Sequence, residues 1–198
     1  MPKVYSYCVA RDYGFAPNPF YGYCTLATCK PMIRRKAEVG DFVIGTGSKK
    51  LGQQGKLVYA MKVSETMSLD EYWADLRFQI KIPNLSGSVK KRFGDNIYHS
   101  ALGSWCQADS HHSHEDGSPN RDNVATDTGT DRMLVSNCFT YYGREAPVIP
   151  NHFRNYHGTD ICQQKPGHKC KFSDLFVAEF VNYFSDLPRG YLGAPASW

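Results

Sequence analysis

Apolar and polar positions alternate from Val4 to Arg11, which predicts a first strand. The aromatic segment DYGFAPNPFYGYC that follows is broken by glycine and proline, so an ordered loop is expected there. Thr25 to Lys36 can be helical only in part, because Pro31 interrupts it; a proline fits the first turn of a helix. A Val39-Gly40-Asp41 turn then feeds the apolar run FVIGTG, and LVYAMKVSE reads as the returning strand after the polar hairpin loop KKLGQQGK. Ser68-Leu69-Asp70-Glu71 fits a capping box that opens a short helix carrying Tyr72 and Trp73. Phe78 to Ile82 reads as a strand ended by Pro83. From Ser86 to Asp131 the chain is polar, spotted with glycine and almost without period, a length that is functional or partly structured when it occurs inside a domain. Met133 to Ser136 resumes a strand that FTYYG extends or follows. Apolar positions 175, 176, 177, 180, 181 and 184 make one face of a final helix over Ser173 to Asp186, with Ser173 as its cap.

Composition changes this picture little. A chain of 198 residues fits one domain, and 41% hydrophobic with 21% charged residues is ordinary for a water-soluble fold. Aromatics at 14% with a net charge of +4 suit either a surface that stacks flat rings or a well-filled core. The opening MPKVYSYCVARD has no long apolar run, so neither a signal peptide nor a membrane helix is expected. Seven cysteines, an odd and uneven set, read as reduced thiols in a cytoplasm rather than as a disulfide framework.

Two groups of motifs carry a resemblance. DYGFAPNPFYGYCTLATCKPMIRR, GDNIYH and RMLVSNCFTYYGREAPVIP together resemble the nucleotide modification associated domain, type 2, from about Val4 to the final helix. EVGDFVIGTGS followed by KLVYAMKVSETMSLDEYWADLRF is more weakly similar to PUA-like domains of the EVE and YTH branch, over about Lys36 to Phe78. The resemblance implies an α+β fold: a PUA-like, partly open β-barrel with flanking short helices, a long polar insertion and a C-terminal helix. On one domain spanning 1–198, that puts the barrel core at about 3–83 and 131–150, the insertion at about 84–130 and the helical segment at about 172–187. It also implies an association with modified bases, bacterial or phage, without implying a reaction.

Ligand-type side chains crowd the stretch SWCQADSHHSHEDG, from Ser104 to Gly117. Cys106, Asp109, His111, His112, His114 and Glu115 offer metal chemistry, yet no pair has a partner at structural-zinc spacing and HEDG is not HExxH. A solvated lid explains the stretch, as does a base pocket in which Trp105 stacks and His114 donates to a phosphate or base edge. His157, Cys162, His168 and Cys170 form a second group whose last two members stand too close for ordinary geometry, and no metal is assigned to either. Cys24 and Cys29 flank TLAT and read as structural thiols, since no histidine lies near in sequence; Lys30, Arg34 and Arg35 keep a nucleophile open as a second reading.

Arg11 and Asp12, with Phe15, Asn18 and Tyr21 on the rigid aromatic loop, are candidates to line a base pocket with Trp105 and His114. Capping the barrel core explains the same aromatics. Basic clusters at Lys30, Arg34 and Arg35, at Lys49 and Lys50, and at Lys90 to Arg92 suit phosphate contacts or a solvated face. No Walker loop, dinucleotide fingerprint or G-x-S-x-G elbow is present, so no cofactor is expected. Three functions remain. The first is a module that binds a modified or flipped nucleobase, with DNA favoured over RNA. The second is an enzyme on modified bases, of hydrolase, transferase or glycosylase type, using Asp109, Asp127 or a histidine as acid or base. The third is a partner subunit of a modification or defence complex.

Overall fold

A computed structural model describes residues 1–163 and 165–198. Its elements run β1 (Val4–Val9), β2 (Cys24–Leu26), α1 (Pro31–Lys36), β3 (Phe42–Gly47), β4 (Leu57–Lys62), β5 (Glu65–Met67) and α2 (Leu69–Ala74). They continue with α3 (Val89–Arg92), β6 (Tyr98–Ala101), β7 (Ser104–Gln107), α4 (Arg121–Thr128), β8 (Met133–Ser136) and β9 (Cys138–Tyr141). The chain ends with α5 (Asn151–Arg154), β10 (His168–Lys169), α6 (Asp174–Asp186) and β11 (Gly190–Tyr191). Contacts divide it into two compact units. Unit one is Met1–Tyr13, Ala37–Ser64 and Ser136–Trp198; unit two is Gly14–Lys36 and Glu65–Val135.

Unit one holds a six-stranded mixed sheet of order β10-β1-β3-β4-β9-β11. β1 runs parallel to β3 from Val4↔Phe42 to Val9↔Gly47, and β3 returns antiparallel as β4 through the KKLGQQGK loop. Edge strands stand at both ends, so this sheet does not close, and the described residues form a mixed α+β fold without a closed barrel. One face buries the apolar stripe of α6: Phe176, Val177, Phe180 and Phe184 meet Val4, Phe42, Ile44 and Ala60, with Phe153 from α5 between them. A Cβ on Gly45 would stand 2.3 Å from the Tyr59 ring, so only glycine lets that ring cross β3 and bond the Tyr7 hydroxyl at 3.0 Å.

Unit two has a three-stranded sheet, β2-β8-β5, and a β6–β7 hairpin. Ser68 and Glu71 close the capping box of α2, as their spacing predicts. The strand expected at Phe78 to Ile82 is instead a 3-10 turn, Leu76–Lys81. Asp75 caps it by accepting from the Arg77 amide, and Lys81 is drawn inward, where its ammonium donates to Asn18, the Tyr23 carbonyl and the Thr25 hydroxyl. An alternating sequence cannot announce a lysine that is buried by its hydrogen bonds. The aperiodic polar stretch is structured too: it contains α3, the hairpin and α4, whose sequence RDNVATDT has no apolar stripe and whose start is capped by Asn120. No helix among the described residues is long and apolar enough to cross a membrane.

Candidate functional site

β2 ends at Leu26 and α1 begins at Pro31, and the chain between them turns through two left-handed residues, Cys29 at φ 56° and Lys30 at φ 43°. Left-handed non-glycine residues cost about 1–3 kcal/mol each and persist only where surrounding bonds hold them. The bonds are there. The Cys29 amide donates to Asp127 Oδ1 at 2.7 Å, and the Cys29 carbonyl accepts from Arg34 Nε at 2.8 Å. The outcome is a strand–turn–helix elbow with a half-buried thiol at its turn, the order of elements that presents a nucleophile in other folds.

His112 faces that thiol. Its Nε2 lies 3.8 Å from Cys29 Sγ, and its Nδ1 lies 2.9 Å from Asp127 Oδ2. The His112 carbonyl accepts from Gln107 and Asn123, and its ring packs on Phe15 with centroids 4.6 Å apart. Burial works against charge on this imidazole, but the hydrogen bonds to Asp127 and Cys29 prevail and push its pKa up to about 9. Asp127, buried on α4, also accepts from the Tyr98 hydroxyl at 3.0 Å, so its carboxylate takes three bonds. Burial, with Asp127 beside it, pushes the Tyr98 phenol pKa up, so Tyr98 stays a neutral donor. Arg34 is fully buried and donates to the carbonyls of Cys29, Asp127, Thr130 and Arg132.

Cys29, His112 and Asp127 are also the one group of three among the described residues that could hold a metal ion. The ring orientation argues for a proton relay instead. Asp127 sits on Nδ1 and Cys29 on Nε2, the carboxylate–imidazole–thiol order of a relay in which each ring nitrogen already has a partner. A carboxylate that orients an imidazole, which in turn meets a thiol, is the geometry of nucleophilic catalysis.

The expected site residues fall in both units. Phe15 is buried against the His112 and His111 rings. Asn18 is buried, donates to the Phe93 carbonyl and accepts from Lys81, so its amide is occupied inside unit two. Tyr21 is half-buried at φ 60°, Trp105 is half-buried on β7 opposite Ser100, and His114 is exposed in a turn closed by Ser118. Arg11 is exposed in unit one, where buried Asp12 accepts from the Tyr141 hydroxyl and the Ala196 amide. Among the phosphate candidates, Lys49 and Lys50 are exposed in unit one and Arg35 is exposed in unit two, while Lys30 is half-buried at the elbow. Arg34 alone is internal. Of the second ligand group, Cys162 belongs to the core of unit one, its thiol pKa pushed up to about 11 chiefly by burial, and His168 packs on Tyr5.

Sequence reasoning named Cys29 as a second reading and Asp127 among possible acids, but favoured His114 over His112. A signal for Cys29 exists in hindsight: a strand, then Thr28-Cys29-Lys30, then a proline at the first helical position.

These features define a mixed α+β protein with a histidine-paired thiol at a strained elbow. The chain belongs to the nucleotide modification associated domain 2 family, whose model matches residues 1–198. Comparison with curated proteins and with solved structures returns no match.

Proposed function

We propose that this chain is a cysteine-dependent acyl-transfer enzyme that acts on a carbonyl-bearing modification of a nucleotide. The observation that carries it is the His112 ring held between the Asp127 carboxylate and the Cys29 sulfur. In the first step the Cys29 S–H bond breaks and its proton passes to the neutral form of His112 at Nε2. The sulfur bonds to the carbonyl carbon, the bond to the leaving nitrogen or oxygen breaks, and His112 Nε2 gives that proton to the leaving group. In the second, water loses a proton to His112, adds to the thioester carbon and displaces Cys29. An imidazole whose pKa is pushed up to about 9 holds the proton it receives firmly enough to deliver it to an amine that must be protonated to leave.

Family membership supports a nucleotide as the substrate. On this reading a modified base is bound as well as processed, with half-buried Trp105 and Tyr21 as stacking surfaces and exposed Arg35 as a phosphate contact on DNA in unit two; exposed Lys49 and Lys50 are proposed as phosphate contacts of unit one by itself. The open sheet of unit one is the proposed counterpart of a PUA-like barrel. All seven cysteines are free thiols, which supports a reducing compartment such as the cytoplasm.

p-Nitrophenyl acetate is the direct probe. Wild-type protein is expected to release a stoichiometric burst of nitrophenolate and to gain one acetyl group on Cys29 by intact mass. Cys29→Ser is expected to lose the burst, and His112→Ala to slow it at least about a hundredfold. Acetylation that is absent, or that persists in Cys29→Ser, refutes the proposal.

A further inference from the structure

Arg34 does a job that its position in a basic cluster conceals. It stands on α1, five residues after Cys29, and its side chain is wholly buried. Nε donates to the Cys29 carbonyl at 2.8 Å, one Nη to the carbonyls of Thr130 at 3.0 Å and Arg132 at 2.8 Å, and the other Nη to the Asp127 carbonyl at 2.6 Å. One rigid fork therefore joins the turn that carries the nucleophile to the end of α4, which carries the acid, and to the segment that follows it. The Cys29 amide crosses the same gap in the opposite sense, to Asp127 Oδ1.

We infer that Arg34 is a positioning residue of the proposed relay: its guanidinium sets the spacing between the Cys29 elbow and Asp127, and through it the reach of His112 to both. A helix surface packed by apolar side chains would also hold these segments together, but it would not fix four specific carbonyls at hydrogen-bond distance. Guanidinium is suited to that task because its donors lie in one plane at fixed angles, and its charge survives burial that disfavours it. The charge has a second use. Beside the Asp127 carboxylate, the guanidinium and a protonated His112 ring supply the balancing positive charge. Lysine keeps the charge and loses the fork. The groups around His112 are Asp127, Cys29, and the rings of Phe15 and His111, so the spacing of the first two governs its titration.

The inference rests on the reading of Cys29 as a nucleophile, and the test separates the two. Arg34→Lys and Arg34→Met are compared with wild type well below their melting temperatures, with p-nitrophenyl acetate as the acyl donor. Both variants are expected to acetylate about ten- to a hundredfold more slowly, as misplacement of a reacting group costs. In Arg34→Lys the His112 titration midpoint is also expected to slide down from about 9 as its two partners drift. A lower melting temperature with an unchanged rate and midpoint would make Arg34 structural only and overturn the inference, leaving the nucleophile in place. Loss of wild-type acetylation would instead remove the function on which it rests. Should neither variant fold, the wild-type protein still decides: the Arg34 Nε and Nη resonances are expected to shift when Cys29 is acetylated, and unmoved resonances contradict the role.

Discussion

Asp127 accepts from the Cys29 amide, the Tyr98 hydroxyl and the His112 ring, so its two oxygens are committed to three donors. Asn at this position keeps the shape but must present an NH2 group toward one of those donors. Asp127→Asn is therefore expected to slow acetylation of Cys29 at least about a hundredfold in the nitrophenolate assay while the protein stays folded. A second prediction concerns pH. The folded pKa of His112 is raised to about 9, above the ordinary imidazole value of about 6.5, so the folded state binds its proton more tightly. The stability this contributes is complete below about pH 6.5 and is lost as pH rises through about 9. Urea titrations of wild type and His112→Gln should differ most at low pH and converge above that window; curves that stay parallel contradict it. The site was partly legible at this scale. Cys29 and Asp127 could each be named from chemistry, but their pairing with His112 spans 83 and 15 residues of chain, distances that no local spacing rule covers.

Elements were easier to read where a side chain announces a boundary. Ser68 with Glu71 and Ser173 before the apolar face of α6 mark helix starts that the structure contains. Ser68→Ala removes the half of the reciprocal cap in which the hydroxyl accepts from the Glu71 amide, leaves the backbone amide of position 68 on the Glu71 carboxylate, and is expected to cost about 1 kcal/mol in a urea melt. Pattern failed where burial is polar. The 3-10 turn ends in Lys81, whose ammonium has its pKa lowered to about 8 because burial outweighs the attraction of Asp95. That charge sits on Asn18, on the Tyr23 carbonyl and on the Thr25 hydroxyl, which itself donates to Asp95 at 2.8 Å. Lys81→Met is expected to destabilise the protein by about 3–5 kcal/mol, because buried acceptors lose their donor and the Asp95 carboxyl loses the positive charge beside it. A cost below about 1 kcal/mol in urea unfolding would show that the network is dispensable.

Over the whole molecule, the aromatic excess is explained in unit one by packing: Phe42, Phe153, Phe176, Phe180 and Phe184 meet edge to face or tilted around one core. Composition alone left core and stacking surface as equal readings, since both need the same rings. The mixed α+β class was legible from alternating strands beside capped helices. The division into two units was not, because unit two is assembled from two stretches on either side of chain that belongs to unit one. That interleaving is also what brings the Cys29 elbow to the loop that bears His112. The central claim is that one imidazole is held between Asp127 and Cys29. Its most direct test is a nitrogen-15 NMR titration of the His112 ring in the wild-type protein. A midpoint near 9, falling in Asp127→Asn, is the result expected, and a midpoint at the ordinary value of about 6.5 in wild type would contradict the relay.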